Sequence, residues 1–105
     1  MAFAITFSTN IAEAAPNIHY HATNSYTVSG QVVVEGYFYN SGNSGGTVKL
    51  LTLRGNAGGV DFGGRFNLNI YVPAGGKVAW TCSISESRIR PNARVNVQSS
   101  TEYGY

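Results

Sequence analysis

Charge is what this chain has least of. Only 11% of its 105 residues are Asp, Glu, Lys or Arg, against roughly 25% in an ordinary soluble domain. Seven basic and five acidic side chains leave a formal net charge of +2. A dedicated nucleic-acid surface needs a denser cluster of Lys and Arg, so the composition weighs against nucleic acid as a partner. Acid–base catalysis also finds little to work with. Glu13, Glu35, Asp61, Glu86 and Glu102 are the only carboxylate side chains, and none sits beside another. A single cysteine, Cys82, excludes an internal disulfide and leaves the redox compartment open. No apolar run approaches the ~18–20 residues of a membrane-spanning helix. No Asn-x-Ser/Thr sequon is present, and no stretch carries the 3.6-residue period of an amphipathic helix.

What is present is glycine, aromatic residues and a period of two. Thirteen glycines and 43% hydrophobic residues exclude a disordered chain and supply turns. Phe3, Ile5, Phe7 and Ile11 share one parity, which reads as a strand over 3–11. Ala12 to Pro16 reads as a break. Ala12-Glu13-Ala14 has the small-x-small form of a cleavage site. However, no Lys or Arg precedes it and polar residues interrupt the apolar stretch, so the segment reads as a retained strand.

Ile18–Ala22 and Ser25–Val28 read as short strands, and Gln31–Tyr39 as a long one. Asn40–Gly46 reads as a hairpin loop leading to a strand over Thr47–Arg54, and Gly55–Gly64 as a glycine-rich connection. Arg65–Val72 and Lys77–Ser85 alternate cleanly around a turn at Pro73–Gly76, and Asn92–Ser99 closes the series. Turn signals at roughly ten-residue intervals predict one antiparallel β-sandwich of seven or eight strands spanning residues 1–105. The expected core is Val32, Val34, Phe38, Leu50, Phe66, Leu68, Ile70, Val78, Trp80, Ile84 and Val95.

Few residues carry chemistry. His19 and His21 share a strand face, but zinc needs three or four ligands. Cys82, the one soft candidate elsewhere, alternates with Trp80 into the core. A Cys82 nucleophile with a histidine base would need a geometry that no motif here supports. SGNSGG and GNAGGVDFGG lack the Gly-Lys-Ser/Thr ending of a phosphate loop and the helix that follows one. Arg88, Arg90 and Arg94 form the one basic cluster, which reads as a solvated rim around Pro91. The expectation is a protein without catalytic residues, metal or cofactor. Tyr37, Tyr39 and Tyr71 fall opposite the clearest core rows, where tyrosines favour protein contacts or sugar stacking.

Residues 29–84 resemble small bacterial Ig-like β-sandwich modules. VEGYFYNSGNSG resembles the strand, aromatic and Asn-x-Gly turn that open FxLYD-type extracellular domains. FNLNIYVPAGGKVAWTCSI resembles their late hairpin, in which a Pro-x-Gly turn separates two alternating strands. The same layout is similar to the jellyroll subunits of bacterial spore appendages. Those assemble through an N-terminal arm that carries cysteines, whereas the arm here has none. RFNL followed by AWTC resembles aegerolysin-type membrane-active sandwiches more faintly.

These resemblances imply an Ig-like or jellyroll sandwich at an extracellular, cell or spore surface. Two functions remain open. One is a structural subunit forming a homo-oligomer or filament by sheet-edge or N-terminal strand addition. Its assembly arm would be residues 1–15, led by Phe3, Ile5, Phe7 and Ile11, which either pair within their own sandwich or cross to a neighbour. The other is a module that binds glycans or lipid head groups through Tyr37, Tyr39 and Tyr71.

Overall fold

A computed structural model describes residues 14–105. Six strands are present among them: β1 (Ile18–Val28), β2 (Gln31–Asn40), β3 (Gly46–Ala57), β4 (Val60–Val72), β5 (Lys77–Ser85) and β6 (Val95–Gly104). They form two three-stranded antiparallel sheets, ordered β1-β2-β5 and β4-β3-β6. The sheets pack face to face.

Six strands stand where seven or eight were expected, because short pieces fuse. Ile18–Ala22 and Ser25–Val28 are one strand, interrupted by a bulge between Ala22 and Asn24. The glycine-rich stretch 55–64 is not a loop. It forms the ends of β3 and β4, joined by Gly58 and Gly59 alone. Both of those glycines have positive φ, 57° and 87°, as a type I′ hairpin turn requires. The expected strand over 3–11, with Phe3, Ile5, Phe7 and Ile11, lies outside the described residues.

Two expected hairpins are crossovers. Asn40–Gly46 carries the chain from the first sheet to the second, and Pro73–Gly76 carries it back. The cause of the first is Asn40, whose side chain is fully buried. Its Oδ1 accepts from the backbone N–H of Asn17 (3.0 Å) and of Gly42 (2.9 Å). Its Nδ2 donates to the carbonyls of Ser44 (2.8 Å) and Val72 (3.0 Å). One carboxamide therefore joins the entry to β1, the crossover loop and the end of β4. Its own backbone pairs with Gly75 and Gly76. The opposite end of the stack is closed by Ile89, which is buried in the loop between β5 and β6. The Ile89 carbonyl accepts from Gly30 N–H, and Thr27 Oγ1 accepts from Ala93 N–H at 2.9 Å.

Period two places Ile18, Tyr20, Val32, Val34, Phe38 and Ile84 of the first sheet against Val48, Leu51, Leu53, Ala57, Phe62 and Val72 of the second. Val32, Val34, Phe38 and Ile84 of the expected core are buried. Leu50 is not a core residue. The register shifts between Val48 and Leu50, so Leu50 opposes Asn67 on the outer face and Leu51 takes the inner place. Phe66, Leu68, Ile70, Val78, Trp80 and Val95 are only half-buried. The first five lie on β4 and β5, which are edge strands on the same side of the stack.

Candidate functional site

The two sides of the stack differ. On one side β1 and β6 are tied together. His19 meets the Tyr103 ring edge-on at 6.4 Å, Tyr103 Oη donates to Asn17 Oδ1, and Ser99 Oγ donates to the Tyr20 carbonyl. On the other side β4 and β5 leave a seam lined by Phe66, Leu68, Ile70, Val78, Trp80 and Cys82, all half-buried. Phe66 reaches Trp80 across it, ring edge to face at 5.1 Å.

Each of these two strands has a free edge among the described residues. Free edges are normally guarded by charge, proline or a bulge. The edge of β4 carries Arg65 and an irregularity in its pairing with β3 at Val48 to Leu50. The edge of β5 is guarded only at its first residue, Lys77. It pairs with β2 in unbroken register from Lys77 to Ser85, and no residue from Val78 to Ser85 is charged.

Trp80 anchors the floor of the seam. Its ring lies 5.8 Å from Tyr20, 6.0 Å from Phe38 and 5.1 Å from Phe66. Tyr20 Oη donates to the Trp80 carbonyl at 2.9 Å. Gly36 makes room for this bond, since a Cβ there would come within 2.8 Å of Tyr20 Oη. Burial, then the neighbouring Cys82 and Glu35, push the Tyr20 phenol up to about 12, and burial pushes the Cys82 thiol up to about 11. Both groups keep their protons at neutral pH, so Cys82 is not held as a thiolate.

A pH dependence follows. The folded state holds these two protons more tightly than the unfolded chain, whose groups titrate at their ordinary 9.0 and 10.0. The stabilisation is complete below pH 9 and is lost as pH rises toward 12. Urea unfolding should show a midpoint that is constant from pH 7 to 9 and falls above that. Tyr20→Phe should remove part of the slope between pH 10 and 12, and an unchanged slope would contradict the assignment.

The structure separates several residues singled out in the sequence. His19 and His21 point outward from β1 while Cys82 points inward from β5, so histidine and thiol do not meet. His19 Nε2 lies 2.9 Å from Asn17 Oδ1. Tyr37 and Tyr39 lie on the outer face of the first sheet, and Tyr71 is exposed on β4 of the second. Two faces therefore carry the three tyrosines. The Tyr37 ring stacks on His21 of β1 at 5.3 Å, and Lys77 Nζ of β5 lies 4.9 Å from its centroid. Lys77 also lies 5.6 Å from Tyr39. Of the basic cluster, Arg88 pairs with Glu86 at 3.0 Å.

Sequence reasoning missed Asn40 and Ile89. Asn40 resembled any turn asparagine, and nothing in NSGNSGG marks which polar residue is internal. Ile89 could have been noticed as the single bulky apolar residue within SRIRPNAR.

The chain enters the fold beside the loop that joins β2 to β3. Ala15 N–H donates to Asn43 Oδ1 at 2.8 Å and the Ala15 carbonyl accepts from Asn43 N–H. The Ala14 carbonyl accepts from Tyr105 Oη, and Tyr105 follows β6. Comparison with protein-family models, with curated proteins and with solved structures returns no match for this chain.

Proposed function

We propose that this chain is a structural, non-enzymatic subunit of the Ig-like or jellyroll β-sandwich type, and that it associates with copies of itself by strand addition. The observation that carries this reading is the edge of β5: straight, uncharged from Val78 to Ser85, and flanked by half-buried apolar side chains. An added strand gains ladder hydrogen bonds along such an edge and buries alternate side chains. The sequence supplies a strand of matching character in Phe3, Ile5, Phe7 and Ile11, with no charge before Glu13.

The glycan or lipid reading has less support. Tyr37 is already flanked by His21 and Lys77, so its ring is engaged within the protein rather than free for a sugar to stack on.

Sedimentation velocity on the full chain tests the proposal. Species larger than the monomer should grow with concentration. The double variant Ile5→Asp/Phe7→Asp should keep its β-type circular dichroism and sediment as a monomer. A wild-type chain that stays monomeric at high concentration would overturn the reading. A double variant that unfolds would show that the arm belongs to its own core.

A further inference from the structure

Resting on that assembly reading, we propose where the arm goes. The seam between β4 and β5 receives residues 3–11 of a second copy, which lie as an added strand along the edge of β5 that is free among the described residues. Three observations converge on this seat. The first is length: residues 3–11 number as many as the nine of β5. The second is pattern. With a period of two, one face of the added strand presents Phe3, Ile5, Phe7 and Ile11 together. The inward row of β5 ends in the half-buried Val78, Trp80 and Cys82, opposite Phe66, Leu68 and Ile70 of β4. The third is charge: neither the arm before Glu13 nor β5 beyond Lys77 carries any. Pairing the two strands therefore buries no unpaired ion.

The assembly reading makes the arm in the seam that of a neighbour. Donor and acceptor are then different surfaces of one subunit, so the contact is head-to-tail and extends into a filament unless the rotation closes a ring.

Cys82 is the only cysteine of the chain and faces the seam, which makes it a native reporter. Phe3→Cys, Ile5→Cys, Phe7→Cys and Ile11→Cys are made singly in the full chain, left to assemble, and oxidised. A disulfide needs Cα atoms within about 7 Å, so an arm strand beside β5 brings only one or two of the four positions into reach. The expected result is a ladder of disulfide-linked multimers on a non-reducing gel for those positions, lost when Cys82→Ser is added.

Three results would overturn the assignment. Assembly without any Cys82-dependent ladder would leave the assembly reading standing and place the arm elsewhere. A Cys82-dependent disulfide confined to a monomer band would put the arm in its own seam. Absence of assembly by the full chain with native Cys82 would remove the assembly reading and this seat with it.

Discussion

Replacing Asn40 by leucine is expected to cost about 3–5 kcal/mol of folding stability, although the residue sits where a strand ends and a glycine-rich loop begins. The side chain is fully buried and makes four hydrogen bonds, two accepted and two donated. Leucine is of similar size but orphans Asn17 N–H, Gly42 N–H, the Ser44 carbonyl and the Val72 carbonyl. Each buried orphan costs about 1–3 kcal/mol when water cannot replace the partner. Only the Val72 contact is wholly enclosed, so the sum is held below the four-fold maximum. Asn40→Asp keeps both acceptor contacts but turns a carboxylate oxygen toward two carbonyls, and should be comparably damaging at neutral pH. Urea unfolding at pH 7 checks both variants. A change below 1 kcal/mol for Asn40→Leu would mean that the loop re-satisfies itself.

Phe38→Ala should be of similar size, about 3–5 kcal/mol, the usual range for truncating a buried phenylalanine. Phe38 is fully buried, two residues before the end of β2. Its ring lies 5.0 Å from Tyr20 and 6.0 Å from Trp80, so truncation opens a cavity beside both. Domains are stable by only about 5–15 kcal/mol in total, and either change therefore threatens folding at physiological temperature. Phe38→Leu keeps most of the volume and should cost about 1–2 kcal/mol. A falling denaturation midpoint with unchanged slope is the expected sign of this loss of stability. If the alanine variant matched the leucine variant, neighbouring rings would have to collapse into the space.

Alternation made most of the sheet legible in advance. Arg65–Val72 and Lys77–Ser85 have one bulky parity each, and the structure turns Phe66, Leu68, Ile70, Val78, Trp80 and Cys82 to the same interior. Leu50 shows the limit. Thr47–Arg54 is apolar on both parities, so a period of two cannot choose a face, and the irregularity between Val48 and Leu50 decides it. Strand pairing was less legible than strand position. NSGNSGG and PAGG read as hairpin turns, yet both cross between sheets. Turn composition reports that the chain reverses, and long-range contacts such as Asn40 to Val72 report where it goes. The tyrosine row was readable as exposed, but its split over two faces was not. That split depends on which sheet each strand joins.

The pairing order also bears on the route to the folded state. The β1–β2 and β3–β4 hairpins close through two-residue turns, Ser29-Gly30 and Gly58-Gly59. Such hairpins form in about 1–10 μs. In contrast, Cys82 must find Val34, and Thr101 must find Leu51, each roughly fifty residues away in sequence, and contact order this high slows folding toward milliseconds to seconds. β5 therefore docks after the hairpin that carries β2 has formed, and its outer edge comes into being late. A chain that has not finished folding has no edge to offer, so the strand addition proposed above would select subunits that are already complete.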